Sequence, residues 1–107
     1  MNKYKVHLST EAIADLDGIY QYLFGQMLTP KTVSKIVDAI ENEIYYYLSY
    51  MPFFPLVDAK RLAKTGVRKM VVKKYLVFFV VDENENTVNV IHIIHGAREW
   101  SRLFTKK

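Results

Sequence analysis

Three basic side chains in the C-terminal half of the sequence could act together on a phosphodiester: Arg68, His95 and Arg98. Arginine donates two geometrically fixed hydrogen bonds to phosphate oxygens and stabilises the charge that grows on them in the transition state. A histidine with a pKa near neutrality can move a proton at an attacking hydroxyl or at a leaving oxygen. If paired strands bring these residues to one concave face, they could cleave a phosphodiester without a metal ion.

Each of these residues also has an ordinary structural interpretation. An arginine at the start of a strand often forms a surface ion pair. On the apolar stretch that ends at His95, strict alternation puts His92 and His95 on opposite faces, so the two cannot chelate a metal together. We therefore predict no metal or other cofactor. The same alternation makes His92 a packed core histidine. Its expected neighbours are Val88, Val90 and Ile94, and those of His95 are Ile91 and Ile93.

Positive charge is concentrated in one short segment. The chain has 15 Lys and Arg residues against 11 Asp and Glu, which gives a net charge of +4. Residues 11–58 contain seven acids and two bases, whereas residues 60–74 contain seven bases and no acid. The molecule should therefore be electrostatically two-sided. Besides Arg68, the basic segment consists of Lys60, Arg61, Lys64, Lys69, Lys73 and Lys74.

Composition excludes several classes of protein. The sequence has no cysteine, so it can form neither a disulfide scaffold nor a thiolate zinc site. Its four glycines build no dinucleotide fingerprint and no phosphate-binding loop. No apolar run reaches the roughly 18 residues of a membrane span. We predict one soluble, cytoplasmic domain over residues 1–107 with no membrane contact.

The elements that must position these residues follow from periodicity. Alternation over residues 4–8 predicts a strand, and apolar spacing of three and four predicts helices from Ser9 or Thr10 to Gly25 and from Pro30 to Pro52. Residues 67–72 and 75–82 read as a β-hairpin and residues 87–95 as an interior strand. The predicted fold is α+β, with a helical hairpin on one face of a mostly antiparallel four-stranded sheet in the order β-α-α-β-β-β.

The two predicted helices also carry pairs of acids and many aromatic residues. Asp15 and Asp17 lie two residues apart, as do Glu41 and Glu43, so neither pair shares a helix face and we interpret all four as solvated surface. The second helix carries too many aromatic residues to bury them all. We predict that part of this surface binds a protein partner, with contacts from Tyr46, Tyr50, Phe53 and Phe54.

Three stretches in this order resemble the RelE/ParE superfamily of bacterial toxins. They are the opening YKVHLS at residues 4–9, the central VRK at 67–69 with YLVFFVVD at 75–82, and the ending HIIHGAREW at 92–100. The resemblance covers nearly the whole chain. It implies the same fold, the toxin half of a type II toxin–antitoxin pair, and a cognate antitoxin as partner.

The resemblance leaves the molecular target open, because some members of the superfamily cleave mRNA in the ribosomal A site and others inhibit DNA gyrase. By position, Arg68 matches the arginine that cleaving members place on the scissile phosphate, and His95 and Arg98 fall in their C-terminal catalytic stretch. No tyrosine follows Tyr75, so His95 would carry more of the proton transfer.

The leading hypothesis from the sequence is a ribosome-dependent mRNA endonuclease. In it, the other six bases of the basic segment bind ribosomal and message phosphates. The alternatives are a gyrase inhibitor and a non-catalytic remnant that only binds its antitoxin.

Overall fold

The part of the chain that the structure describes folds into one strand, two helices and three further strands, in the predicted order. The computed structural model describes residues 3–57 and 65–96. Four of the predicted site residues, Lys60, Arg61, Lys64 and Arg98, lie outside these ranges. The elements are β1 (Lys5–Leu8), α1 (Thr10–Phe24), α2 (Pro30–Tyr50), β2 (Val67–Val72), β3 (Tyr75–Asp82) and β4 (Thr87–His95).

Both helices begin at the caps that the sequence indicates. The Ser9 hydroxyl accepts a hydrogen bond from the N–H of Ala12 at 3.0 Å, and the Thr29 hydroxyl accepts one from Thr32 at 3.2 Å. Pro30 follows its cap at a position where the missing N–H would have no partner inside the helix. Neither described helix combines the length and the apolar character that a membrane span requires.

The sheet is mixed, in the order β1-β4-β3-β2. β1 runs parallel to β4, and the other two pairs are antiparallel, so the prediction of a mostly antiparallel sheet is confirmed. β4 lies between β1 and β3, which confirms its predicted interior position. Lys73 and Lys74 form the tight connection of the hairpin, where Lys73 adopts a φ of 55°.

The helices cover one face of the sheet and bury the larger of the two apolar clusters that the described residues form. From the sheet it contains Met70, Val72, Tyr75, Val77, Phe79, Val88, Val90 and Ile93, and from the helices Ala12, Leu16, Ile40, Ile44 and Leu48. Full burial of each large apolar side chain contributes roughly 1.5–3 kcal/mol. A smaller cluster on the opposite face contains Val57, Val67, Phe78 and Ile94.

A bulge in β4 changes which side chains share a face. Phe78 pairs with His92, but the next residue of β3, Phe79, pairs with Val90, so Ile91 is the extra residue. The faces that strict alternation predicts for the side chains of β4 are therefore wrong beyond Val90. Val88 and Val90 share the helix-covered face with Ile93, whereas Ile91 and Ile94 pack on the other face.

The segment after α2 closes part of the outer edge of β2. The N–H of Val57 donates to the carbonyl of Val67 at 2.9 Å, and the N–H of Lys69 donates to the carbonyl of Pro55 at 3.2 Å. These two hydrogen bonds flank an antiparallel bridge between Leu56 and Arg68. The chain thus crosses from the end of α2 to β2 beside the first candidate site residue.

Candidate functional site

Arg68 is held by the segment that follows α2. Its Nη1 donates to the carbonyl of Phe54 at 2.7 Å, and its guanidinium carbon lies 5.4 Å from the ring centroid of Phe53. The side chain is half-buried. These contacts, rather than a surface ion pair, fix its position among the described residues. A guanidinium has five N–H donors, so the carbonyl leaves donors for a further ligand.

His95 ends β4 directly opposite Tyr75 of β3. Their rings meet edge to face, with centroids 5.6 Å apart and an interplanar angle of 86°. Burial raises the pKa of the Tyr75 phenol, and the nearby Tyr22 phenol adds to this shift. His95 is exposed at the edge of this pair.

The structure does not bring Arg68 and His95 together. Arg68 pairs with Phe79, whereas His95 pairs with Tyr75, four residues away along β3. Four residues of a strand span about 13 Å, and β2 and β4 lie on opposite sides of β3, about 10 Å apart. Their Cα atoms are therefore about 16 Å apart. Both side chains would have to extend toward each other to act on one phosphate, because proton transfer requires contact at about 3 Å or through one water.

Among the described residues of the basic segment, Lys73 forms an ion pair. Lys73 Nζ lies 3.1 Å from Glu43 Oε2, and both side chains are less than half exposed. Glu43 is thus an ion-pair partner and not simply the solvated acid that its spacing predicts. Lys74 is exposed, and its carbonyl accepts the N–H of Gly96 at 2.8 Å. Lys69 is half-buried in β2.

Asp15 has a structural role that its sequence spacing does not reveal. Its Oδ2 accepts a hydrogen bond from the N–H of Ile93 at 2.9 Å and lies 2.9 Å from Nδ1 of His92. Interpreting Asp15 as solvated surface is therefore wrong. His92 is predicted to pack in the core, but its side chain is half-buried and contacts the carboxylate of Asp15. The lengths of the two strands could have indicated this contact. β1 has four residues and β4 has nine, so β1 cannot pair with every amide of β4, and a side chain of α1 has to accept one of them.

The aromatic residues at the end of α2 form an exposed surface, as predicted. Tyr46 is 63% exposed, Tyr50 47% and Phe53 51%. Tyr46 and Tyr50 contact each other with centroids 5.7 Å apart, and Phe53 meets the edge of Tyr4 at 5.9 Å. Phe54 differs, because it is half-buried and packs edge to face on Phe79 of the core. We call Tyr46, Tyr50 and Phe53 the aromatic surface.

Two cations lie over this aromatic surface. Lys3 Nζ lies 4.9 Å from the ring centroid of Tyr50, and Arg68 lies over Phe53. The surface is thus both apolar and positively charged, a combination that suits an acidic, amphipathic segment of another protein. Within residues 3–57 and 65–96, no group of three histidine or acidic side chains is placed to hold a metal ion.

A helical hairpin packed on this mixed sheet is the fold of small toxins from type II toxin–antitoxin systems. A chain of the chromosomal ParDE system of P. aeruginosa superposes with a TM-score of 0.68 at 18% identity, covering 86% of this chain and 95% of that one. A chain of the RelBE2 complex of Mycobacterium tuberculosis gives 0.63 at 20% identity, covering 92% and 97%. A chain of the intact E. coli RelBE complex gives 0.52 at 12% identity, covering 89% and 99%.

Sequence comparison identifies the family within this fold. The model of the ParE toxin of type II toxin–antitoxin systems matches residues 6–100. The chain therefore belongs to the ParE toxin family, within the RelE/ParE superfamily that the sequence motifs indicate. No curated protein matches the sequence significantly.

Proposed function

We propose that this toxin acts by binding and inhibiting DNA gyrase. The match of the ParE family model over residues 6–100 carries the proposal. Of the two activities that the resemblance leaves open, gyrase inhibition is the ParE-like one. Such a toxin needs a surface complementary to its target and no acid–base pair.

The geometry of the candidate catalytic residues supports the same choice. The guanidinium of Arg68 is bonded to the Phe54 carbonyl, and the imidazole of His95 lies at the other end of the sheet. A separation of about 16 Å between the two Cα atoms does not favour direct proton transfer between His95 and a phosphate bound at Arg68.

Ribosome-dependent mRNA cleavage is the second candidate. The observation that favours it is the run of seven bases without an acid over residues 60–74, which includes the exposed Lys74. In this candidate Arg68 binds the scissile phosphate, and Arg98 and His95 complete the site.

One experiment separates the candidates. Purified toxin is added to gyrase and relaxed plasmid while primer extension on translated message follows cleavage in parallel. Inhibited supercoiling with intact message supports our proposal, whereas ribosomal A-site cuts with normal supercoiling overturn it. A chain that gives neither effect and does not arrest growth is a remnant that only binds antitoxin.

Variants sharpen this experiment. Arg68→Ala should abolish the A-site cuts if mRNA cleavage is the activity, because it removes the phosphate-binding guanidinium. Lys31→Ala provides the control, since Lys31 is an exposed base in the first turn of α2, outside the basic segment.

We further propose that the cognate antitoxin packs on the aromatic surface. Burial of exposed aromatic side chains supplies much of the binding energy of protein interfaces. Lys3 and Arg68 add the positive charge that favours an acidic segment. Tyr50→Ala should weaken the complex at least tenfold in a titration, whereas Met27→Ala, at an exposed residue between the helices, should not. Equal affinities would contradict the assignment.

A further inference from the structure

A partly enclosed cavity of about 490 Å³ opens between α1 and the ends of β3 and β4. Asp15, Gly18 and Tyr22 line it from α1, and Tyr75, Ile93 and His95 line it from the sheet. The volume lies within the range of about 300–1,000 Å³ that is typical of ligand sites. The cavity is separate from both Arg68 and the aromatic surface.

The polar groups of this cavity suit a cation. Asp15 uses Oδ2 for its hydrogen bonds to β4, whereas Oδ1 makes none among the described residues, and the side chain is 23% accessible. The 2.9 Å contact with His92 Nδ1 engages only Oδ2 of this carboxylate. The rings of Tyr22, Tyr75 and His95 line the same space. A carboxylate among aromatic rings attracts a guanidinium or an ammonium group.

The apolar part of the lining suits the aliphatic portion of such a side chain. Ile19 and Ile93 contribute hydrocarbon surface beside Asp15. Arginine and lysine bury their methylene stems on apolar surface while the charged group reaches a polar partner. Tyr22, at 64% exposure, offers further area that a docked protein would cover.

Gly18 provides an independent observation that the cavity is kept open. It lies inside α1, where glycine costs about 0.5–1 kcal/mol relative to alanine. Its φ is not positive, and a Cβ built on it meets no heavy atom within 4 Å. Neither the backbone nor the packing therefore requires glycine. Its effect is to leave one position of the α1 wall, between Asp15 and Tyr22, without a side chain.

We propose that this cavity receives one arginine or lysine side chain of the cognate antitoxin. The cation would lie at Asp15 Oδ1 among the three rings, with its stem against Ile19 and Ile93. The inference rests on the antitoxin partnership proposed above and is independent of the toxin's target.

The direct test is an NMR titration of the whole toxin with blocked amino acids. The probes are Nα-acetyl-arginine methylamide, its lysine equivalent and the uncharged citrulline equivalent. A charged probe should shift the amide signals of Gly18 and Ile93 saturably, with at least tenfold tighter binding than citrulline. Absence of saturation with both charged probes, or equal binding of citrulline, overturns the proposal.

Variants link the cavity to the antitoxin. Gly18→Leu places a side chain at the α1 wall of the cavity, from a Cβ that meets no heavy atom within 4 Å, and should abolish probe binding. Tyr22→Leu should weaken probe binding several-fold. Phe24→Leu is the control, because Phe24 is an exposed aromatic residue of the same helix that does not line the cavity. Amide spectra of each variant verify its fold.

The antitoxin complex is then titrated with the same variants. Gly18→Leu should weaken it at least tenfold, and Phe24→Leu should leave it unchanged. If Gly18→Leu blocks the probes but leaves the complex at full affinity, the antitoxin is not the occupant and the proposal is overturned. Supercoiling assays are scored separately, so a failure of the gyrase proposal does not affect this result.

Discussion

Asp15 accepts the N–H of Ile93 beyond the point where β1 ends. β1 pairs with β4 only from Thr87 to Val90, and the hydroxyl of Ser9 then donates to the carbonyl of Ile91 at 3.2 Å. Side chains at the start of α1 thus continue the hydrogen bonding of a strand that is too short to reach the end of β4. This contact fixes α1 over the half of the sheet that carries the cavity.

Asp15→Ala should destabilise the fold by about 1–3 kcal/mol, because it leaves the half-buried N–H of Ile93 without its acceptor. Urea unfolding followed by circular dichroism measures the change. Asp17→Ala, at an exposed position of the same helix, should change stability by no more than about 0.5 kcal/mol. Equal losses in the two variants would contradict the role assigned to Asp15.

Tyr75 should make the fold sensitive to alkali. Burial raises the pKa of its phenol, so above the ordinary tyrosine value near 10 the unfolded state loses this proton more readily than the folded state. The stability that Tyr75 contributes is therefore complete below that pH and is lost as the pH rises through the folded-state pKa.

Tyr75→Phe should consequently flatten the fall of stability above about pH 10. Urea unfolding at a series of alkaline pH values measures this slope. Tyr45→Phe, which alters a phenol on an exposed residue, should retain the wild-type slope. If Tyr75→Phe also retains it, burial of this phenol does not influence the alkaline transition.

Two glycines should respond to alanine in opposite directions. Gly18→Ala should stabilise the protein by about 0.5–1 kcal/mol, since alanine is the better helix former and its methyl group meets open space. Gly66 has a φ of 80°, so Gly66→Ala should cost about 1–2 kcal/mol. Thermal unfolding of both variants tests the pair, and a destabilised Gly18→Ala would contradict the open space at that position.

Phe53 and Phe54 should separate binding from stability. Phe54 packs on Phe79, so Phe54→Ala should destabilise the fold by about 2 kcal/mol. This loss is smaller than the loss expected for a fully buried phenylalanine, because Phe54 is only half-buried. Phe53 is 51% exposed, so Phe53→Ala should cost less than 1 kcal/mol, about the value of its ring contacts. Urea unfolding compares the two, and a larger loss for Phe53→Ala would contradict the packing.

Local signals were sufficient to predict the helices and strands. Ser9 and Thr29 cap helices because their hydroxyls accept nearby amide hydrogens, and this depends only on sequence neighbours. The order of elements and the exposure of Tyr46, Tyr50 and Phe53 follow from the same kind of local pattern.

Contacts that depend on register between distant strands could not be predicted. The bulge at Ile91 reverses the alternation of β4, and no turn residue marks it in the sequence. The separation of Arg68 from His95 follows from the pairing of β3 with both neighbours, which residue types do not specify. The ion pair of Lys73 with Glu43 joins the hairpin turn to the middle of α2, 30 residues away in sequence.

Pro55 limits how far the outer edge of the sheet can grow. It accepts the N–H of Lys69 but has no N–H to return, so pairing along β2 ends there. Within the described residues, the pairing outside β2 is therefore a short bridge over residues 55–57. Short, proline-terminated edges are poor templates for strands of other chains. The same loop that holds Arg68 thus shortens the part of the β2 edge that stays open to a strand of another chain.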